Sequence, residues 1–368
     1  MASSTQEHQL LPNLYAGATS APPPTPAAHH DSLLSSADAA DALSRLLHRL
    51  PPTLSLPTRL SSSSSAAATC PPSLSSLNDI LSCVSKLGFA QLTDHSVPPE
   101  LASSAESEAF ALFDLPRDKK ESLITKSWPL GYGGGDDDDE DDDGVAESFR
   151  FDSACSTESS EFALVSLREF ARALEKLGLK IVDELTKALG CENPLGDDPN
   201  QFHSLLWVSE SSPGNKSGGF YPFIIALQYQ IRNQKYSMLS DSGWVSVLPH
   251  VDSILVTVGD IAQVWSNGKL KKVRGRPVAT VGEENGSRCI TMSLLITLPT
   301  ESRVGPLLPK ATIGSNKNEE KEEIDEEKNC GDEGQERVFN SFDFEDYAWR
   351  VYHELILFKD PLERYRVA

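Results

Sequence analysis

His250-Val251-Asp252, behind Pro249, sets a histidine and a carboxylate two positions apart. Two such groups and one further donor on a single face can hold a ferrous ion and leave coordination positions open for reactants. His203 is the nearest upstream histidine, so His203, His250 and Asp252 are the metal set that the residues spell outright. Arg288-Cys289-Ile290-Thr291 adds a guanidinium, the natural two-pronged partner of a carboxylate, with a hydroxyl three residues on. Lys269, Lys271, Lys272, Arg274 and Arg276 form a basic cluster, and strand alternation predicts that it is split between faces as solvated charge. The six cysteines (70, 83, 155, 191, 289 and 330) include no C-x-x-C pair, so zinc is not signalled. No glycine-rich phosphate loop and no nucleophile elbow is present.

The elements that must carry these residues are mostly strands. In Gly243–Pro277, Val245 and Val247 alternate with Ser246, Leu255 to Val258 is a β-branched run, and Ile261, Val264 and Trp265 read as another short strand. Ser266-Asn267-Gly268 is a tight-turn signal. Phe89–Leu92, Phe202–Val208, Gly219–Ile231, Gln234–Leu239 and Arg288–Leu298 supply further strands. Helical periods run over Ser73–Leu87 (closed by Gly88), Pro98–Phe113, Glu161–Leu189 (through Gly178) and Phe342–Leu357. Trp207, Trp244 and Trp265 are expected in the core or a pocket.

These segments carry a resemblance. G-W-V-x-V, V-x-V-G-D and S-N-G-K-L-K-x-V-R-x-R, with K-L-G-F-A-Q-L-T-D-H-S-V-P and A-L-F-D-L-P-R-D-K-K upstream, resemble the plant 2-oxoglutarate/Fe(II)-dependent dioxygenases over about residues 50 to 367. The resemblance implies a mainly β fold with flanking helices: a double-stranded β-helix, or jelly roll, supported by the long helix and the C-terminal helix. It also implies three regions. These are 1–50, a disordered tail with a short helix; 51–150, the family's N-terminal region ending in an acidic loop; and 151–368, the jelly roll with an acidic insertion at 310–336.

The family holds iron with H-x-D and a later histidine, and grips 2-oxoglutarate with R-x-S. Here those motifs place Gly219, Tyr221 and Gly275 at the three ligand positions. Glycine offers no ligand atom. His250-Val251-Asp252 falls where the family has a connecting loop, which favours a loop histidine and a turn-capping aspartate over an iron site. Arg288 and Thr291 stand near R-x-S and are the expected cofactor-binding residues; no catalytic or metal-binding residue is expected. The resemblance gives His95 a structural loop role.

The chain has 368 residues, 39% of them hydrophobic, and a formal charge of −21. Asp136–Asp143 and Glu319–Glu336 hold 16 of those excess negative charges, so the remainder is nearly neutral. Such runs solvate loops, and a partner-binding role for them is the less favoured reading. The lack of a basic face argues against nucleic acid. With no long apolar run and no paired-cysteine pattern, the expected setting is a reduced cytoplasm or nucleus, away from membranes.

The expected function is that of a catalytically degenerate oxygenase homologue that needs no cofactor and holds an apolar small molecule in its barrel or a protein partner through its acidic loops. The alternative is an active oxygenase that uses Fe(II) and 2-oxoglutarate on a plant hormone or specialised metabolite through an unorthodox metal site.

Overall fold

Gly88, between the first helix and the second strand, must be glycine for two reasons. Its φ of 78° closes helix α1 (Ile80–Leu87), its N–H donating to the Val84 carbonyl. Its absent Cβ would also lie 3.0 Å from the Lys271 carbonyl oxygen. The computed structural model describes residues 69–74, 76–124, 127–134, 146–158, 163–196, 201–211, 220–241, 243–279, 288–307, 337–353 and 360–367. The acidic runs and the N-terminal tail lie outside these, as does Gly219.

The strands are β1 (Ser73–Leu74), β2 (Phe89–Leu92), β3 (Gly131–Gly133), β4 (Ser148–Asp152), β5 (His203–Ser211), β6 (Ile225–Tyr229), β7 (Tyr236–Ser240), β8 (Gly243–Val247), β9 (Ile254–Val258), β10 (Val273–Ala279) and β11 (Cys289–Thr297), followed by β12 (Arg303–Val304) and β13 (Phe342–Asp343). One sheet runs β1-β2-β9-β6-β11-β5-β4-β3 and a second β10-β7-β8. All pairs are antiparallel except β1 with β2. The two sheets share a core of Phe89, Tyr236, Met238, Val247, Leu255, Val273 and Cys289, which is the interior of the jelly roll. The boundary expected at 150 falls inside β4, which pairs with β5, so the N-terminal region and the barrel share one sheet.

Helices α2 (Pro99–Phe113) and α4 (Val165–Ala188) follow the expected periods, although Val165 is exposed in the first turn of α4, and a short helix that the sequence reading did not give, α3 (Arg117–Ser122), lies between them. Gly178 is where α4 meets the sheet: a Cβ there would lie 2.9 Å from Ile296 Cγ1 and 3.1 Å from Leu227 Cδ1. Gly178→Val therefore destabilises the fold by about 1–3 kcal/mol in urea unfolding through overpacking. An unchanged midpoint would mean that the helix can back away from the sheet.

Three sequence readings change. Ile261–Trp265 is not a strand but part of α5 (Asp260–Trp265), with Gln263 N–H donating to Gly259 O and Ser266 N–H to Ala262 O. Its run is too short for period alone to separate strand from buried helix. The helix expected from Ser73 begins only at Ile80, after β1 and a 3-10 turn. Trp244 is not in the core: it lies on β8, the edge of the smaller sheet, and is 60% exposed. The last helix, α6 (Phe344–His353), packs Phe344, Tyr347 and Ala348 inward. Among the described residues no helix is long and apolar enough to cross a membrane.

Candidate functional site

Side chains alternate across a strand, so Cys289 in the shared core fixes the inward face of β11 as Cys289, Thr291, Ser293 and Leu295. Register then draws one inward row across the large sheet: Arg150, Trp207, Ser293, Gln228 and Leu255. The Ser293 hydroxyl bonds Gln228 Oε1 at 3.3 Å. The buried hydroxyls of Thr257 and Thr291, on the same face, have no hydrogen-bond partner. The inward face of the large sheet thus sets buried polar groups beside the apolar side chains that the two sheets share.

Arg288 and Thr291, expected together, are placed apart. Thr291 faces the interior. Arg288 precedes β11, is 43% exposed at its side chain, pairs with Glu210 and, at 2.6 Å, with Asp114, and covers the Phe110 ring. Its two acidic partners hold the guanidinium on the outside.

His203, His250 and Asp252 do not converge. Leu255 and Trp207 share the inward row, but β9 and β5 run in opposite senses through it. Asp252 and His203 therefore leave the row toward opposite ends, on the order of 20 Å apart by strand rise. His250 is exposed and sets Nε2 3.6 Å from Cys70 Sγ, while its N–H donates to Gln91 Oε1 at 2.9 Å. Asp252 accepts from the Tyr229 hydroxyl through Oδ1, and its carbonyl meets His95 Nε2 at 2.9 Å. That contact gives His95 the loop-bracing place expected of it.

At the barrel mouth, Tyr221 occupies the position that the resemblance gives to the iron-binding carboxylate. It is 4% exposed, edge-on to Trp128 (centroids 5.5 Å apart) and to Phe344 (6.0 Å). Burial pushes its phenol up, so the neutral form is strongly favoured. Gly275 lies in β10, at a register shift between Arg274 and Val278. Trp128 also meets Tyr352 of α6 edge-on at 6.1 Å. The Arg150 guanidinium is held between the Trp207 and Tyr352 rings and donates through Nη1 to the Tyr352 hydroxyl. Sequence reasoning missed Arg150, Trp128 and Tyr352, because nothing local marks residues that meet only through the fold.

The basic cluster also departs from expectation. Lys272 is wholly buried and bridges Asp260 Oδ1 (2.7 Å) and Asp360 Oδ1 (2.6 Å). Arg274 lies 3.8 Å from Asp241 and 4.0 Å from Asp360. Burial raises the Asp360 carboxyl, but Lys272, the Leu362 N–H and Arg274 outweigh it and hold the carboxyl below its ordinary range.

Residues 60–169 match the family described as non-haem dioxygenase in morphine synthesis N-terminal, and residues 214–295 the 2OG-Fe(II) oxygenase superfamily. Gibberellin 2-beta-dioxygenase 1 of Pisum sativum is 26% identical over 230 residues, 54% of this chain and 68% of that protein. The 2-oxoglutarate-dependent dioxygenase DAO of Oryza sativa subsp. indica is 26% identical over 204 residues, 52% of this chain and 68% of its own length. The crystal structure of the dioxygenase for auxin oxidation in rice superposes with a TM-score of 0.58 at 19% identity, covering 80% of this chain and 99% of that one. Two consecutive family matches in the expected order, on the expected jelly roll, make this chain a member of the plant 2-oxoglutarate/Fe(II)-dependent dioxygenase superfamily.

Proposed function

We propose that this chain is a catalytically degenerate member of its superfamily, which keeps the barrel as a small-molecule holder and has given up the metal. The observation that carries this reading is Tyr221. A neutral phenol in an aromatic cluster stands where the motifs call for a carboxylate. Glycines stand at the two histidine positions. Fe(II) does not fit these residues, and no reaction step is assigned to it. Among the described residues no group of three His, Cys, Asp or Glu side chains could hold a metal ion.

Anaerobic Fe(II) titration with a succinate assay tests the proposal. We expect no stoichiometric iron and no succinate released from 2-oxoglutarate above the protein-free blank. One equivalent of bound iron with 2-oxoglutarate turnover would instead support the second reading, an oxygenase acting on a plant hormone or specialised metabolite. The names of the relatives, gibberellin and auxin dioxygenases, favour that alternative; it needs ligands other than the dispersed His203, His250 and Asp252.

A further inference from the structure

Among the described residues three cationic side chains are buried: Lys120, Arg150 and Lys272. Lys120 pairs with Glu147 at 2.7 Å, and Lys272 with two aspartates. Arg150, 8% exposed, has no carboxylate within ion-pair distance among the described residues, in a chain with 54 acidic residues. A guanidinium cannot discharge itself by losing a proton, and burying it unpaired is costly. Its contacts are the Trp207 and Tyr352 rings and the Tyr352 hydroxyl, all neutral. Its Nε is buried with no hydrogen-bond partner. A second buried donor without a partner, Trp128 Nε1, belongs to a ring packed on the same Tyr352. Among the described residues the surplus at this aromatic cluster is therefore one positive charge and two N–H groups.

We propose that Arg150 and Trp128 form an anchor for a small organic carboxylate whose apolar body lies against the aromatic rings of the mouth. The carboxylate would supply the missing counter-charge and accept from Arg150 Nε, with Trp128 Nε1 as the second donor. This site is separate from Arg288 and Thr291. It deepens the ligand-holding part of the function proposed above, and it stands or falls apart from the question of iron.

The test is calorimetric titration of the full chain with benzoate and with its neutral counterpart benzamide, at neutral pH and low ionic strength. Benzoate is expected to bind at least about tenfold more tightly than benzamide, the lower bound for a charge-assisted hydrogen bond. Arg150→Met should bring benzoate down to the benzamide level, and Trp128→Phe should weaken it a few-fold. Thermal unfolding of the ligand-free Arg150→Met protein is the second readout. Removing an uncompensated buried charge should leave the midpoint unchanged or raise it, whereas a residue kept for stability would lower it. The inference is overturned by equal binding of the two probes, by benzoate binding unchanged in Arg150→Met, by a lowered midpoint in that variant, or by no benzoate binding up to about 10 mM. Metal-dependent turnover, read in the separate succinate assay, would overturn the degenerate reading without touching this one.

Discussion

Lys272→Ala is expected to lower the stability of the fold by about 3–5 kcal/mol in urea unfolding, the loss typical when one member of a buried ionic cluster is removed. The ammonium is wholly buried, and its two partners are nearly so, with side-chain exposures of 10% for Asp260 and 8% for Asp360. Without Lys272 both carboxylates must stay charged in a poor solvent, take up protons or let water in. Arg274 cannot replace it, since it stands 4.0 Å from Asp360 and is shared with Asp241. Adding Asp260→Asn and Asp360→Asn to Lys272→Met should recover much of the loss, because the uncompensated charges are then gone. A loss below about 1 kcal/mol in Lys272→Ala, the range of an exposed pair, would show that solvent reaches the cluster.

The same cluster predicts an acid sensitivity. Asp360 is held below its ordinary carboxylate range in the folded state. A depressed carboxyl contributes stability that is fully present above its unfolded value, about 4, and is lost as pH falls through the folded value. Unfolding free energy should therefore decline from about pH 4 downward, and more gently in Asp360→Asn.

Gly259→Ala is the second large effect, and its cause is steric alone. With φ at −101° the backbone suits any residue. An added Cβ, however, would fall 2.0 Å from the Phe223 carbonyl oxygen and 2.5 Å from Phe223 Cδ2. That stretch cannot step aside, because Ile224 N–H is bonded to Ile296 O at 2.7 Å, Gly259 N–H to Ile224 O at 2.9 Å and Ile261 N–H to Phe223 O at 3.2 Å. We expect a loss of about 3 kcal/mol or more, at or beyond the upper end of overpacking. Tryptophan fluorescence should also change, since Tyr221, two residues before Phe223, packs on Trp128. By contrast, Gly190→Ala, at φ 74° with open space around it, should cost only about 1 kcal/mol or slightly more. If the two variants behave alike, the close approach at Gly259 is not rigid.

Comparing residues shows which kind of information the sequence holds. Phe89–Leu92 was readable as a strand because a short apolar run follows a glycine cap, and the structure pairs all four of its residues with β9. Gly259-Asp260 was readable as a motif but not for its reason: it looks like a turn, and it is a crossing of two backbones. Gly178 looked like a tolerated break in a helix and is its contact with the sheet. Lys272 looked like surface charge because its neighbours in sequence are basic. Its partner Asp360 is 88 residues away, and burial depends on that distant meeting. Arg150 and Tyr352 are 202 residues apart, so of this aromatic cluster only Tyr221, which a motif marks, was legible. Periods and turns are local properties. The protonation and solvation of a buried side chain belong to the assembled fold.

The ion pair between Lys272 and Asp360 also orders events during synthesis. On a chain emerging from the ribosome, Lys272 and Asp260 appear long before residue 360, and until then the lysine has only one of its two counter-ions. Until residue 360 has been made, a lysine that the finished barrel buries completely lacks one of the two counter-ions it is buried with.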